Sequence, residues 1–212
     1  MDNKPLTPVL NHPYLGIKLQ QNMKWTTHIN NTTTKAQKTL NMLKRNLKQT
    51  STSIKSLAYK TIVRPQLEYA SAIWDPNTKD EINKIDKIQK RAARWVFQDY
   101  SSYTSVSLLQ AKLKWTTLAE RRLNSRLVIF YKTVHNLIAI PIPPYIQIPT
   151  RTTRHNQTTT EAPKYRQLTT NTNQYKYSFF PRTITDWNSL PPSLCATSSV
   201  QAFKDGLARH SP

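Results

Sequence analysis

The chain has 212 residues, with 31 Lys and Arg against 11 Asp and Glu, a formal charge of +20 and a pI near 10.2; such an imbalance points to a polyanionic partner, and nucleic acid is the natural one. Two glycines, Gly16 and Gly206, exclude the Gly-rich loops of nucleotide-binding folds, and a single cysteine, Cys195, excludes an internal disulfide and a cysteine-based zinc knuckle. No apolar run approaches the roughly 18 residues that span a bilayer and no signal pattern opens the chain, so neither a membrane nor a small-molecule substrate is an expected partner.

In chain order, Pro13 to Leu19 alternates so that Leu15, Ile17 and Leu19 share one face, a strand period, with a turn at Gln20-Gln21-Asn22 and a return through Met23 and Trp25. From about Thr33 the period becomes helical through Ala36, Leu40, Leu43 and Leu47, with Lys35, Lys38, Lys44, Arg45 and Lys48 largely elsewhere. After the hydroxyl-rich break Gln49 to Ser53, suited to an N-cap, Ile54, Leu57, Ala58 and Ile62 continue the helical spacing until Pro65 kinks or ends it. Leu67 to Trp74 resumes a helix before the turn Asp75-Pro76-Asn77.

Thr78 and Glu81 are placed as a capping box for a helix to about Phe97, with Ile82, Ile85, Ile88, Ala92 and Val96 inward and Lys84, Lys87, Lys90, Arg91 and Arg94 on its flanks. A shorter helix is expected over 105–113. Thr117 and Glu120 repeat the cap ahead of Leu123, Leu127, Phe130, Val134 and Leu137, a core helix to about residue 138. Pro141-Ile142-Pro143-Pro144 then opens a Thr/Asn/Arg-rich stretch expected to be extended. Tyr175 to Phe180 reads as strand, Arg182 to Leu190 as a short helix and Ser198 to Ala208 as a final one. The fold class is therefore mainly α: a helical bundle with an N-terminal β-hairpin and an irregular Pro/Thr-rich C-terminal part.

Several phrases together resemble the C-terminal end of the reverse transcriptase of LINE-type (non-LTR) retrotransposons, the jockey and CR1-like groups especially. They are Tyr14-Leu15-Gly16-Ile17 with Trp25 and His28-Ile29; Leu57 to Lys60; Arg64 to Ser71; Ile73 to Pro76; Ile88 to Arg94; Tyr177 to Ile184; and Trp187 to Pro191. The resemblance implies residues 1–32 as a tail and hairpin from the end of the polymerase palm and 33–138 as a basic, thumb-like helical domain. Residues 139–174 are then a Pro/Thr-rich linker and 175–212 a closing aromatic segment with short helices.

The palm aspartates that hold Mg²⁺ in that family have no counterpart here, and Asp80-Glu81 is better explained by its cap. The resemblance thus implies a fragment or degenerate copy that is not an enzyme on its own, with no cofactor in this chain, since Mg²⁺ would belong to the missing palm. Its partner would be an RNA–DNA or DNA duplex held without sequence preference, in the nucleus by resemblance, with the cytoplasm as the other intracellular place.

The residues expected on phosphates are Lys35, Lys38, Lys44, Arg45, Lys48, Lys87, Lys90, Arg91 and Arg94, because long cationic stems displace counterions from a backbone that must slide. Tyr14, Leu15, Gly16 and Ile17 would lie near a primer end, where the missing Cβ of Gly16 admits a sugar or backbone. A solvated basic face against an acidic protein is the alternative: a stand-alone interaction module with no nucleic-acid role. The tryptophans are expected to pack the core, the scattered histidines hold no metal-ligand spacing, and Cys195 reads as a buried or idle thiol.

Overall fold

The computed structural model describes residues 8–149 and 164–210. It is mainly helical with one small antiparallel hairpin, and it divides into two compact units, Met1–Ala119 and Glu120–Pro212. The boundary falls inside the 33–138 stretch that the sequence reading drew as one domain. The reason is that the hydrophobic residues gather into two cores, one built from Ile29 to Leu118 and the other from Leu127 to Leu207.

The first unit opens with β1 (Asn11–Tyr14) and β2 (Ile17–Gln20), paired from Asn11 opposite Gln20 to Tyr14 opposite Ile17. The hairpin is present, but its turn is at Leu15-Gly16 and not at 20–22. Both turn residues have positive φ, +46° and +81°, as a two-residue I′ turn requires, and glycine makes such a turn at this position and nowhere later. Because the strand reverses there, Leu15 and Leu19 are exposed and only Ile17 of the expected face is buried. Trp25 begins no returning strand; it caps a helix.

That helix, α1 (Thr26–Asn46), starts seven residues before the expected Thr33 and buries Ile29 as well as Ala36, Leu40 and Leu43. Nothing between Thr26 and Thr33 is a glycine or proline, and Thr33 and Thr39 return their hydroxyls to the carbonyls of Ile29 and Lys35, so hydroxyl-rich sequence is absorbed into the helix.

Ser51 caps α2 (Thr52–Ala58) by accepting from the amide of Ile54. The chain then makes a π-helical turn, Tyr59–Val63, and continues as α3 (Arg64–Glu68) with Pro65 in its first turn. Helix thus persists through the proline, because the wider turn, closed by Arg64 N to Tyr59 O, gives the ring room that an α-helical turn denies. The buried stripe runs through Lys55, Tyr59, Val63 and Leu67 across the turn, whereas Ile54, Leu57 and Ile62 of the expected helical spacing are exposed. α4 (Ser71–Trp74) follows a left-handed Ala70.

Thr78 caps α5 (Lys79–Phe97), accepting from the amide of Glu81 as the spacing predicts, and its inner face is Ile85, Ile88, Ala92 and Val96. α6 (Val106–Lys112) adds Leu109. Trp74, Trp95 and Trp115 are buried in this core, Trp115 stacked on Tyr59 at 4.3 Å, while Trp25 packs against it half-buried.

α7 (Leu118–Val134) ends before residue 138, and Leu137 is exposed beyond it. In the second unit Phe130 meets Trp187 edge-on at 5.1 Å and Tyr131 stacks on Phe203 at 4.5 Å. Arg126 is buried there on Asp186, Nη2 to Oδ2 at 2.7 Å.

The run expected as strand, Tyr175 to Phe180, is helical instead: α8 (Asn173–Lys176) is followed by α9 (Phe179–Asn188). Pro181 decides it, because a helix tolerates a missing amide in its first turn and a strand ladder does not. α10 (Pro192–Cys195) and α11 (Val200–His210) complete the unit. The irregular chain before them is not without anchors: Ile146 and Tyr165 are buried in the core, and Tyr165 exchanges both backbone hydrogen bonds with the amide of Asn188, at 3.0 and 2.7 Å. The centre of that stretch, 150–163, lies outside the described residues.

Candidate nucleic-acid interface

α1 and α5 lie side by side and run in the same direction. Thr26 donates to Glu81 Oε1 at 2.7 Å, Lys84 Nζ to Asn30 Oδ1 at 3.0 Å, Arg91 Nη1 to Gln37 Oε1 at 2.6 Å, and Gln98 Nε2 to the Lys48 carbonyl at 3.0 Å. Each helix buries its apolar stripe and leaves the polar remainder outward, so the two basic faces become neighbours. α1 contains no carboxylate along its whole length, and α5 holds Asp80 and Glu81 in its first turn, where the helix dipole favours them, and a half-buried Asp86 one turn further on.

Of the expected phosphate contacts, Lys38, Arg45 and Lys48 are exposed on or just beyond α1, and Lys87, Lys90 and Arg91 are exposed on α5. Lys44 is half-buried, its Nζ 5.9 Å from the centre of the Tyr100 ring; burial first and then the nearby Arg91 guanidinium hold its pKa below the ordinary lysine value. The pair Lys44 and Arg91 is thus a point of concentrated positive charge on the seam.

Arg94 does something different. Its guanidinium turns into the following loop, donating Nη1 to the carbonyl of Ser101 at 2.6 Å and, at longer range, to those of Asp99 and Thr104. Asp99, hydrogen-bonded by Thr104 and Ser101 with Arg94 and Lys112 nearby, is held below the usual carboxylate range. Arg94 therefore braces a loop in place of standing free for a phosphate.

Lys35 falls on the other side of α1, in a cleft of about 460 Å³ that Gly16, Lys18, His28 and Tyr69 also line. Tyr69 donates its hydroxyl to the Leu15 carbonyl at 2.9 Å and accepts Trp74 Nε1 on its own carbonyl at 2.8 Å, while Trp74 meets the His28 ring edge-on at 5.2 Å. His28 Nδ1 accepts from the Lys18 amide at 3.3 Å, which places the ring proton on Nε2, toward Thr32. Burial, then Lys18, lowers the His28 pKa, so the ring is the neutral form that this acceptor role needs. These contacts fix the hairpin tip against the helices. Of its expected primer-proximal residues, Tyr14 and Leu15 face solvent, Gly16 lines the cleft and Ile17 is buried beneath it.

Sequence reasoning missed Lys18, His28 and Tyr69 in the cleft and the two exposed tyrosines of the loop after α5. Lys84, outside the expected contact set, stands seven residues before Arg91 and shares its stripe. Among the described residues no group of three or more His, Cys, Asp or Glu could hold a metal ion, and no helix is long and apolar enough to cross a membrane. Comparison with protein-family models, with curated proteins and with solved structures gave no match.

Proposed function

We propose that this chain grips the sugar–phosphate backbone of an RNA–DNA or DNA duplex without sequence preference, and that it makes no new bond itself. The observation that carries the reading is the parallel α1/α5 pair, whose adjoining faces present Lys38, Lys44, Arg45, Lys48, Lys87, Lys90 and Arg91 with no carboxylate from α1 among them. Flexible ammonium and guanidinium groups on a rigid pair of helices displace counterions from many phosphates while allowing the duplex to slide.

By its resemblance to LINE-type reverse transcriptases the grip is that of a thumb, with the hairpin tip at Gly16 near the primer end. In that family polymerisation and its Mg²⁺ belong to the palm, and a nuclear site of action fits the role of a thumb. A helical protein-interaction module is the second reading, favoured by the outward Ile54, Leu57, Ile62 and Ile73 on the α2 to α4 segment.

Binding of a labelled blunt duplex, followed by fluorescence anisotropy as salt is raised, separates the two. Five to seven phosphate contacts give a log–log slope of about −4 to −6. Absence of binding in dilute buffer, or affinity indifferent to salt, overturns the grip and leaves the interaction module.

A further inference from the structure

The loop between α5 and α6 is built with more care than a simple connection requires. Gln98, left-handed at the end of α5, ties it to the Lys48 carbonyl; Arg94 holds the carbonyls of Asp99, Ser101 and Thr104; Asp99 Oδ1 accepts from the Ser101 amide at 3.0 Å, and Ser101 Oγ from the Tyr103 amide at 3.2 Å. Within this fixed backbone two tyrosines point outward, Tyr100 at 62% exposure and Tyr103 at 99%. Large aromatic side chains left in water on an ordered backbone gain nothing from the fold that carries them. Lys44 stands over one of them, and Arg45 and Lys48 follow at the same end of α1.

We propose that Tyr100 and Tyr103 form a stacking platform for unpaired nucleobases, fed by the backbone grip of α1 and α5; the inference rests on the proposed function and extends it from duplex to a duplex with a single-stranded end. The chemistry is that of single-strand recognition: every base has a π face, so a phenol ring accepts any of them, while neighbouring cations track the phosphates between. The platform is sequence-tolerant, in keeping with a grip that reads no base edges. Lys44, placed over one face of the Tyr100 ring, sets that ring beside the basic end of the seam and leaves stacking to its other face.

The test uses the full chain and three labelled duplexes of equal length: blunt, with a short single-stranded overhang, and with the same overhang made abasic so that its phosphates remain and its bases do not. The intact protein should prefer the base-bearing overhang to the abasic one by about thirtyfold or more, the least expected of one stacked base on each of the two rings. Tyr100→Ala with Tyr103→Ala should remove that preference and leave blunt-duplex affinity unchanged, whereas Tyr100→Phe with Tyr103→Phe should keep it. Equal binding of the base-bearing and abasic overhangs by the intact protein, or a preference that survives the alanine pair, overturns the platform. The first comparison needs no variant to fold. Failure to bind any of the three duplexes refutes the backbone grip instead, so the two proposals fail by different results.

Discussion

Arg94 and Arg91 sit three residues apart on the same helix, yet the structure gives them separable roles. Arg94→Ala removes one short charge-assisted hydrogen bond, to the Ser101 carbonyl at 2.6 Å, and two longer ones at 3.3 and 3.4 Å that contribute little. The short bond is worth about 1.5 to 3 kcal/mol. At about 2 to 4 °C per kcal/mol for a chain of this size, and taking about 2 kcal/mol, the transition of the first unit should fall by roughly 4 to 8 °C. Arg94→Lys should recover only part of this, because one ammonium cannot serve three carbonyls as a planar fork does. Arg91→Ala loses an exposed hydrogen bond to Gln37, and its effect on stability should stay within about 0.5 kcal/mol. The order reverses in binding: Arg91→Ala should flatten the salt dependence by about one contact's worth, a slope change near 0.9, and Arg94→Ala should leave the blunt-duplex slope where it was. Thermal unfolding followed by circular dichroism and the anisotropy titration measure the two columns. An Arg94→Ala protein that melts unchanged, or that loses as much slope as Arg91→Ala, refutes the assignment of Arg94 to the loop.

Three further outcomes follow from local geometry. Gly16→Ala puts an L side chain at φ +81° with its Cβ 3.3 Å from Tyr69 Cε1, and should destabilise the first unit by about 1 to 3 kcal/mol in a denaturant titration; a neutral result removes the strained turn from the account. His28 has a folded pKa below its ordinary 6.5, so the unfolded chain takes up a proton that the folded one resists: stability is full above that value and declines as pH falls toward the folded pKa. The melting temperature of His28→Gln should be flatter than that of the parent across that interval, and equal pH profiles would contradict the buried neutral ring. Cys195 is buried with its thiol pushed up to about 11, so a thiol reagent should label it only after denaturant unfolds the second unit, and prompt labelling of the native protein would refute its burial.

Where the sequence pattern and the structure agree, one local signal is enough to fix the element. Thr78 and Glu81 mark the start of α5 because a capping box is a short-range hydrogen-bond arrangement, and Ile85, Ile88, Ala92 and Val96 lie inward because nothing interrupts their period. Where they part, a backbone feature outweighs the period. A glycine able to take φ +81° moves the hairpin turn to Leu15-Gly16, and a π turn before Pro65 keeps Val63 and Leu67 in line with the buried Lys55 and Tyr59 while Ile62 stays outside. A single extra residue in a turn rotates every later side chain, and composition carries no trace of it. The four aromatic residues Tyr175, Tyr177, Phe179 and Phe180 give the run its strand character, and Pro181 directly after them weighs against it.

The basic residues divide along the same line. Periodicity tells which flank of a helix a lysine or arginine leaves from; it does not tell where a stem of three or four carbons ends. Arg91 and Arg94 leave from the outer side of α5 alike, but a left-handed Gln98 turns the chain back so that the carbonyls of residues 99, 101 and 104 come within reach of Arg94 and none reaches Arg91. The same reversal carries Tyr100 over to Lys44 and presents Tyr103 to solvent. One arginine thus holds the loop of the two tyrosines in place, and the exposed charge proposed to meet phosphates is concentrated where α1 and α5 adjoin. A grip arranged this way should lose affinity evenly along a duplex when its exposed cations are removed, and should lose discrimination of the strand end when Arg94 is.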